Sequence, residues 1–286
     1  MRVSEFEAEH KIDVEPSWLR RRRLESRARC RDLERKLAAL QRDYTDLHAA
    51  LFEAAQAHRR LCAPRLVRHG SFEIASEIFA VRYMPGDFFT IQEAGGAVIL
   101  ALGDICGKGL AAGMWTTYLV GLVGAKAAAT SEPREIVTRI NQEVFRMSPL
   151  TTFASLFLAR LDPATGELDY CSAGHPPALL LRADGRMESL SEGGTLLGVL
   201  PDAFFAEGRV GLGEGDILLI YSDGILESRD PADQEFGRER LEAQLKLARP
   251  GSADAVLFSV LGAVQDFAAC RRLIDDTSLV VVCRDP

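Results

Sequence analysis

The sequence lacks the cysteine pattern of a zinc site or a disulfide framework. Its six cysteines are scattered over 286 residues, without a CxxC pair or a cluster with histidine. It also lacks a basic excess, since 41 acidic residues outnumber 34 lysines and arginines and give a formal net charge of −7. Binding a nucleic-acid backbone requires clustered basic charge. We therefore expect no zinc site and no nucleic-acid partner, and the unpaired cysteines indicate a reducing cytoplasm.

Long apolar runs are also missing. Residues 1–16 are acidic and lack the apolar stretch of a secretory signal. The most membrane-like segment, residues 110–125, is shorter than the roughly 20 residues that span a bilayer, and it is rich in glycine, threonine and alanine. We expect a buried core helix there, a cytoplasmic protein and no membrane insertion.

Glycine and proline are absent from residues 33–61, where nearly all residues at alternating spacings of four and three are apolar. This heptad seam comprises Leu33, Leu37, Leu40, Tyr44, Leu47, Leu51, Ala54, His58 and Leu61. Charged residues between its members predict a solvated helix with one apolar stripe. The seam favours a parallel homodimer but leaves open packing on the same chain. We assign residues 1–63 to a helical, coiled-coil-like regulatory linker that ends before Pro64.

Short β-like runs dominate residues 64–286, which we assign to a second domain, and most of them end in a turn signal. They cover 72–83, 97–104, 153–162, 168–174, 178–185, 216–224 and 277–283. Helical patterns interrupt them only in pairs, at 110–130 with 133–147 and at 237–248 with 252–269. A doubly wound chain would alternate strand and helix throughout. The pattern therefore predicts an antiparallel α+β sandwich in which helix pairs cover the sheets.

The segment LALGDICGKGLAAG (100–113) does not have the spacing of a Walker phosphate-binding loop. Only three residues separate its first two glycines, where the Walker pattern has four, and Lys108 is followed by Gly109 instead of Ser or Thr. A nucleotide-dependent switch is therefore disfavoured. What remains is a buried-type strand with Asp104 at its end, then glycines, then a helix that begins near Leu110.

Three other corners of the chain carry aspartate at the edge of an apolar run. They are PGDFF with Asp87, YSDG with Asp223, and IDDTS with Asp275 and Asp276. Carboxylates gathered at one end of a sheet repel one another unless cations neutralise them. Mg²⁺ and Mn²⁺ suit carboxylate and water ligands. The residues therefore indicate a binuclear metal centre.

Seven sequence blocks, in chain order, resemble the SpoIIE/RsbU-type branch of the metal-dependent protein serine/threonine phosphatases (PPM) over about residues 55–286. The blocks are AAQAHRRLCAPRL, PGDFF, LGDICGKGLAAGM, FASLFLARLDPATGELDYCSAGHPPALLL, GGTLLGV, GDILLIYSDGILES and IDDTSLVVV. The resemblance implies an α-β-β-α sandwich of two antiparallel sheets flanked by helix pairs. It makes residues 64–286 a phosphatase domain.

The resemblance also implies a site with two divalent ions, Mn²⁺ or Mg²⁺. Asp104 would bridge the ions, and Ile105 would offer its backbone carbonyl to one of them. Asp223 and Asp275 would hold one ion together with Asp104, and Asp87 would act on the second ion largely through water. These four aspartates are the implied catalytic residues, because two cations can screen a phosphomonoester and activate a bridging water for in-line attack.

The implied activity is hydrolysis of phosphoserine or phosphothreonine on a phosphorylated regulatory protein. In this branch the partner is often a STAS-type anti-anti-sigma factor, and the N-terminal helix would regulate the domain by dimerisation or rotation. The alternative is a non-catalytic pseudophosphatase that binds a phosphoprotein or dimerises. Its support is Thr90, which stands where the family commonly has a second acid.

Three further residues within these blocks are considered for other roles. Asp276 and Glu227 are near proposed ligands, and they are candidates for orienting them, although solvated acids are the commoner case. His175, beside two prolines in AGHPP, is interpreted as a structural turn residue and not as a catalytic acid or base.

Overall fold

The computed structural model describes residues 16–61, 65–81, 83–130, 132–147, 152–249, 251–269, 271 and 273–285. The chain divides into two compact units between Phe52 and Glu53. The boundary that the sequence predicts between residues 63 and 64, with the helix end at Pro64, lies outside the described residues.

Helix α1 spans Ser17–Leu61 and so begins well before the heptad seam. Its sequence is rich in Ala, Leu and Arg, which favour helix, and its last turn carries basic residues that suit the helix dipole. Along the first unit the seam is solvent-accessible, with 56–66% exposure at Leu33, Leu37, Leu40, Tyr44 and Leu47. In the second unit the seam residue His58 is buried.

Residues 53–286 contain two sheets. The first sheet has the spatial order β1 (Leu66–His69), β2 (Phe72–Phe79), β12 (Thr277–Arg284), β11 (Ile217–Tyr221), β7 (Ala178–Leu181) and β8 (Met187–Leu190). The second has the order β10 (Gly208–Gly211), β6 (Glu167–Ala173), β5 (Ala154–Leu161), β4 (Ala97–Ile105) and β3 (Asp87–Ala94). Neighbours in both orders are antiparallel, and β9 (Gly193–Gly194) adds a parallel pairing to β6.

Helices cover the outer face of each sheet. Helices α2 (Leu110–Ala127) and α3 (Pro133–Met147) pack on the second sheet, and α5 (Gly237–Leu247) and α6 (Ala253–Phe267) pack on the first. The short α4 (Asp223–Leu226) follows β11. This arrangement confirms the α-β-β-α sandwich. In the described part of the chain, no helix combines the length and apolar character needed to cross a membrane.

The continuous apolar runs of the central strands follow from this layering. Alternate side chains of a strand point to opposite faces, and both faces of each sheet are covered. In β4, the side chains of Val98, Leu100 and Leu102 point into the core between the sheets. The core under α2 and α3 receives Ile99 and Ala101. Asp104 continues the first of these two rows, so the strand carries it to the edge of the inter-sheet layer.

Several predicted element boundaries need correction. The strand predicted over 72–83 ends at Phe79, and the strand predicted over 216–224 ends at Tyr221, so that Asp223 begins α4. Strands β1, β3, β8 and β10 were not predicted at all. The strands β1, β8 and β10 have four residues each, and β3 begins at an aspartate within what the sequence suggested to be a corner. Short or polar strands of this kind give little periodic signal.

Candidate metal centre

The four aspartates predicted as site residues lie at the same end of paired strands. In the second sheet, β3 begins at Asp87 and β4 ends one residue after Asp104, and these two residues stand opposite each other in the ladder. In the first sheet, β11 ends two residues before Asp223, and its partner β12 begins two residues after Asp275. The fold thus positions an acidic pair from each sheet.

The acids of the first sheet affect the pKa of Asp104. Burial raises the pKa of Asp104 to about 7, and the carboxylates of Asp223, Asp275 and Asp276 raise it too, while the ammonium of Lys108 opposes them. Asp223 keeps an exposed side chain, but partial desolvation of its carboxylate, followed by the charge of Asp275, also raises its pKa. The structure therefore brings Asp104, Asp223 and Asp275 together in one acidic cluster.

Lys108 is a cation of this cluster for which the sequence analysis proposed no role. Its Nζ lies 2.6 Å from Oδ2 of Asp275 and donates to the carbonyl of Ile274 at 3.1 Å. The other carboxylate oxygen of Asp275 accepts a hydrogen bond from the backbone of Asp276 at 2.8 Å. Lys108 follows Asp104 by four residues in the glycine-rich loop, and that proximity was the available sequence signal.

Asp87 lies deeper than the other three aspartates, with 2% exposure. The hydroxyl of Ser278 donates to its carboxylate. Burial raises the pKa of Asp87 well above its ordinary value, and the charge of Asp104 adds to this effect, whereas the hydroxyls of Ser278 and Ser222 oppose it. The two serines were missed in the sequence because neither belongs to a recognisable ligand pattern. A water-mediated role of Asp87 at a second ion stays a prediction.

Three oxygen atoms converge on Gly86. A Cβ built at Gly86 would lie 2.9 Å from Oδ1 of Asp104 and from the carbonyl of Gly107, and 3.2 Å from the carbonyl of Ile105. The side chain of Ile105 is buried in the core under α2 and α3, so its carbonyl is the group that faces this position. Carboxylate and carbonyl oxygens are the ligands of hard cations.

The donor chemistry fits Mg²⁺ or Mn²⁺. Within the described residues, no three acidic, histidine or cysteine side chains form a group that could hold one ion by themselves. A complete ligand set here therefore includes backbone oxygens and water, which Mg²⁺ ordinarily retains. The cluster at Asp104 supplies oxygen donors and mutual repulsion that a cation relieves.

Asp276 has a defined structural role beside this cluster. Its carboxylate accepts backbone hydrogen bonds from Val81 and Gly86, each at 2.7 Å. These two hydrogen bonds connect the segment before Asp87 to the turn before β12. Glu227 lies at the end of α4, where partial burial and then the charge of Asp223 raise its pKa.

Thr90 lies away from the acidic cluster. It is three residues from Asp87 on β3 and so occupies the opposite face of the strand. It pairs in register with Ala101, which belongs to the core under the helices, and its hydroxyl accepts from the Gln92 side chain at 2.7 Å. An acid at position 90 would point toward α2, so Thr90 removes no ligand from this cluster.

The family comparison agrees with the fold. The model of the SpoIIE family, described as Stage II sporulation protein E, matches residues 94–285. The chain belongs to this family of PP2C-type phosphatases, as the resemblance of its motifs predicted.

Two curated relatives share about a quarter of their aligned residues with the chain. Protein IcfG of Synechocystis is 23% identical over 235 residues, which cover 71% of this chain and 36% of that protein. Phosphoserine phosphatase RsbU of Bacillus subtilis is 23% identical over 235 residues, covering 81% of this chain and 69% of that protein. The chain therefore spans about a third of the length of one relative and two thirds of the other.

Solved structures share the fold. The SiaA-PP2C domain of Pseudomonas aeruginosa superposes with a TM-score of 0.74 at 17% identity, covering 84% of this chain and 97% of that domain. RsbX, solved in complex with magnesium, gives a TM-score of 0.58 at 16% identity, covering 76% of this chain and 97% of its own. A divalent cation is thus present in one protein of this fold.

Gly86→Ala is expected to weaken Mn²⁺ binding by about 10-fold or more, because the added Cβ would crowd the three oxygens that face Gly86. Isothermal titration calorimetry measures the effect. Gly121→Ala is the matched control, since a Cβ at Gly121 in α2 meets no atom within 4 Å. Equal Mn²⁺ affinity in both variants would contradict the placement of the ions at these oxygens.

When metal is removed by chelation, the free energy of unfolding is expected to depend on pH because of Asp104. Its folded-state pKa of about 7 lies above the unfolded value of about 3.9, so its contribution to stability is full below pH 4 and is lost as the pH rises through 7. In EDTA, Asp104→Asn should gain stability over wild type from pH 5 to pH 8, by at most about 4 kcal/mol. Urea denaturation measures this difference, and parallel pH profiles would contradict it.

Proposed function

We propose that residues 64–286 form an Mg²⁺- or Mn²⁺-dependent protein serine/threonine phosphatase. The observation that carries the proposal is the convergence of Asp104, Asp223 and Asp275 at one edge of the sandwich, where burial and mutual repulsion raise the pKa of Asp104 to about 7. Such a cluster weakens the fold unless cations neutralise it. Membership of the SpoIIE family supports phosphate-ester hydrolysis as the reaction.

Each candidate ligand has a place in this proposal. Asp104 would bridge two ions, with Asp223 and Asp275 as the further side-chain ligands of the first. The backbone carbonyl of Ile105 would bind one of the two ions, and Asp87 would act on the second ion largely through water. The deep burial of Asp87 and its hydrogen bond from Ser278 favour an indirect role.

When bound, the two ions would screen the phosphoryl dianion and activate a water for in-line attack. The protein's own groups would orient the reactants. Asp223 is exposed and lies at the first turn of α4, so substrate can approach from this side. Lys108, next to Asp275, adds a positive charge that attracts the phosphoryl oxygens. No covalent phosphoenzyme is required.

The proposed substrate is phosphoserine or phosphothreonine on a regulatory protein, with a STAS-type anti-anti-sigma factor as the partner class. Support comes from the resemblance of the motifs to the SpoIIE/RsbU branch and from RsbU, a relative named as a phosphoserine phosphatase. The pseudophosphatase alternative rested on Thr90, and its position on the opposite face of β3 from Asp87 takes that support away.

Asp223→Asn is expected to lower Mn²⁺-dependent hydrolysis of a phosphoserine peptide by about 100-fold or more, because it removes a charged ligand of the first ion. Phosphate release by the full chain measures it. Asp184→Asn is the matched control, since Asp184 is exposed and pairs with Arg186 in the turn between β7 and β8. A folded wild-type chain without turnover would favour the pseudophosphatase.

We further propose that residues 1–63 are a regulatory linker that forms a homodimer. The apolar stripe of α1 supports this, since its side chains from Leu33 to Leu47 are more than half exposed. Near the end of α1, Nε2 of His58 lies 2.7 Å from the hydroxyl of Thr116 in α2. That hydroxyl donates to the carbonyl of Gly113, so it accepts from His58. The linker thus ends in a contact with the helix that follows the glycine-rich loop.

The double substitution Leu37→Glu with Leu40→Glu is expected to convert a dimer to a monomer, because like charges would then replace the apolar contacts of the seam. Sedimentation velocity measures the mass. The matched control is Arg35→Glu with Arg42→Glu, which makes two acidic changes between the seam positions. A monomeric wild-type chain at working concentrations would remove the proposal.

A further inference from the structure

His175 lies in the loop that leaves β6 of the second sheet and enters β7 of the first. The side chain is 6% exposed although the loop sequence AGHPP is that of a surface turn. Its Nδ1 is 2.8 Å from the hydroxyl of Ser155. The burial of this imidazole needs a physical reason, because removing its ring nitrogens from water costs free energy.

Ser155 connects this imidazole to the acidic cluster. It stands opposite Asp104 in the ladder between β4 and β5, and its hydroxyl accepts a hydrogen bond from the backbone N–H of Asp104 at 3.3 Å. The hydroxyl therefore has its own proton to donate, and the remaining partner is Nδ1 of His175. The hydrogen bonds run in one direction, from Asp104 through Ser155 to His175.

This direction requires a neutral imidazole that carries its proton on Nε2. Burial lowers the pKa of His175 to about 3, which keeps the ring neutral at physiological pH. Nε2 is buried without a hydrogen bond of standard geometry, and the polar group that acts on the ring is the backbone of Tyr221. Tyr221 is the last residue of β11, two residues before Asp223. The imidazole is therefore hydrogen-bonded to Ser155 of β5 in the second sheet and lies near the end of β11 in the first.

We propose that His175 is a positioning residue, which fixes Asp104 through Ser155 and holds the strand end at Tyr221 beside it, so that ligands from the two sheets meet at one metal centre. The inference rests on the proposed metal-dependent function. It assigns to the imidazole a task that a turn residue does not have. The turn itself has a separate hydrogen bond, in which the Ser172 hydroxyl donates to the carbonyl of His175 at 3.3 Å.

Calorimetric titration of Mn²⁺ into the full chain tests the proposal without relying on turnover. His175→Leu and Ser155→Ala should each weaken Mn²⁺ binding by about 10-fold to 100-fold, the usual effect of losing a group that orients a ligand. The double variant should bind no more weakly than the weaker single variant, because both changes break one chain of hydrogen bonds. His175→Asn should restore binding, since its Oδ1 can accept from Ser155 near the place of Nδ1.

Ser172→Ala is the matched control, since it removes the hydrogen bond of the turn and leaves Nδ1 in place. Wild-type Mn²⁺ affinity in this control, with weakened binding in Ser155→Ala, is the expected result even if His175→Leu does not fold. Wild-type affinity in Ser155→Ala and His175→Leu would overturn this proposal alone. Equal weakening in His175→Asn and Ser172→Ala would reduce His175 to a turn residue and overturn it as well. A wild-type chain that binds no Mn²⁺ would contradict both this proposal and the proposed function.

Discussion

Repulsion among carboxylates that are partly desolvated is the constraint on which the arrangement of this site depends. Asp104 shares its surroundings with the charges of Asp223 and Asp275, and desolvation adds to the cost of ionising it. Lys108 offsets part of that cost through its ion pair with Asp275. One ammonium cannot neutralise three carboxylates. The remaining negative charge suits the divalent cations of the proposed function, which would in turn attract a phosphoryl dianion.

The fold tolerates this repulsion because its acids occupy only the edge of the inter-sheet layer. Behind Asp104, the same row of β4 continues through Leu102 and Leu100 into a fully buried apolar core. Neutral hydroxyl groups contact the deepest acid, since Ser278 donates to Asp87 and the hydroxyl of Ser222 also lowers the pKa of Asp87. Such partners reduce the penalty of burial without adding charge. The core thus provides rigidity, and the hydrogen bonds at its edge determine where each carboxylate points.

The sequence allowed the layered architecture and the acidic corners to be predicted, because both depend on local pattern. Asp104 follows a continuous apolar run, and such a run in the middle of a covered sheet can only end at an edge. The environment of Asp87 could not be predicted, since Ser278 is distant in the chain and meets it through the approach of the two sheets. The face of the sheet on which Thr90 lies could not be predicted for a related reason, because spacing along the chain does not tell which face of an unpredicted strand a residue occupies. His175 was assigned only to a turn, because its partner Ser155 lies on another strand.

The close packing around α2 gives the linker proposal a physical route to the site. Thr116, which accepts from His58, lies one turn from Gly113, and a Cβ at Gly113 would overlap the side chain of Met84 at 2.5–2.9 Å. Met84 is two residues before Gly86, where the three oxygens converge. A shift of α2 must therefore move this segment, because close-packed side chains transmit displacement and do not absorb it. The same shift would move the carbonyl of Gly107, which lies three residues before the first residue of the helix. Under the linker proposal, movement of α1 would therefore alter the positions of these oxygen atoms, and not the charge of the cluster, since the contacts along this route are made by neutral groups.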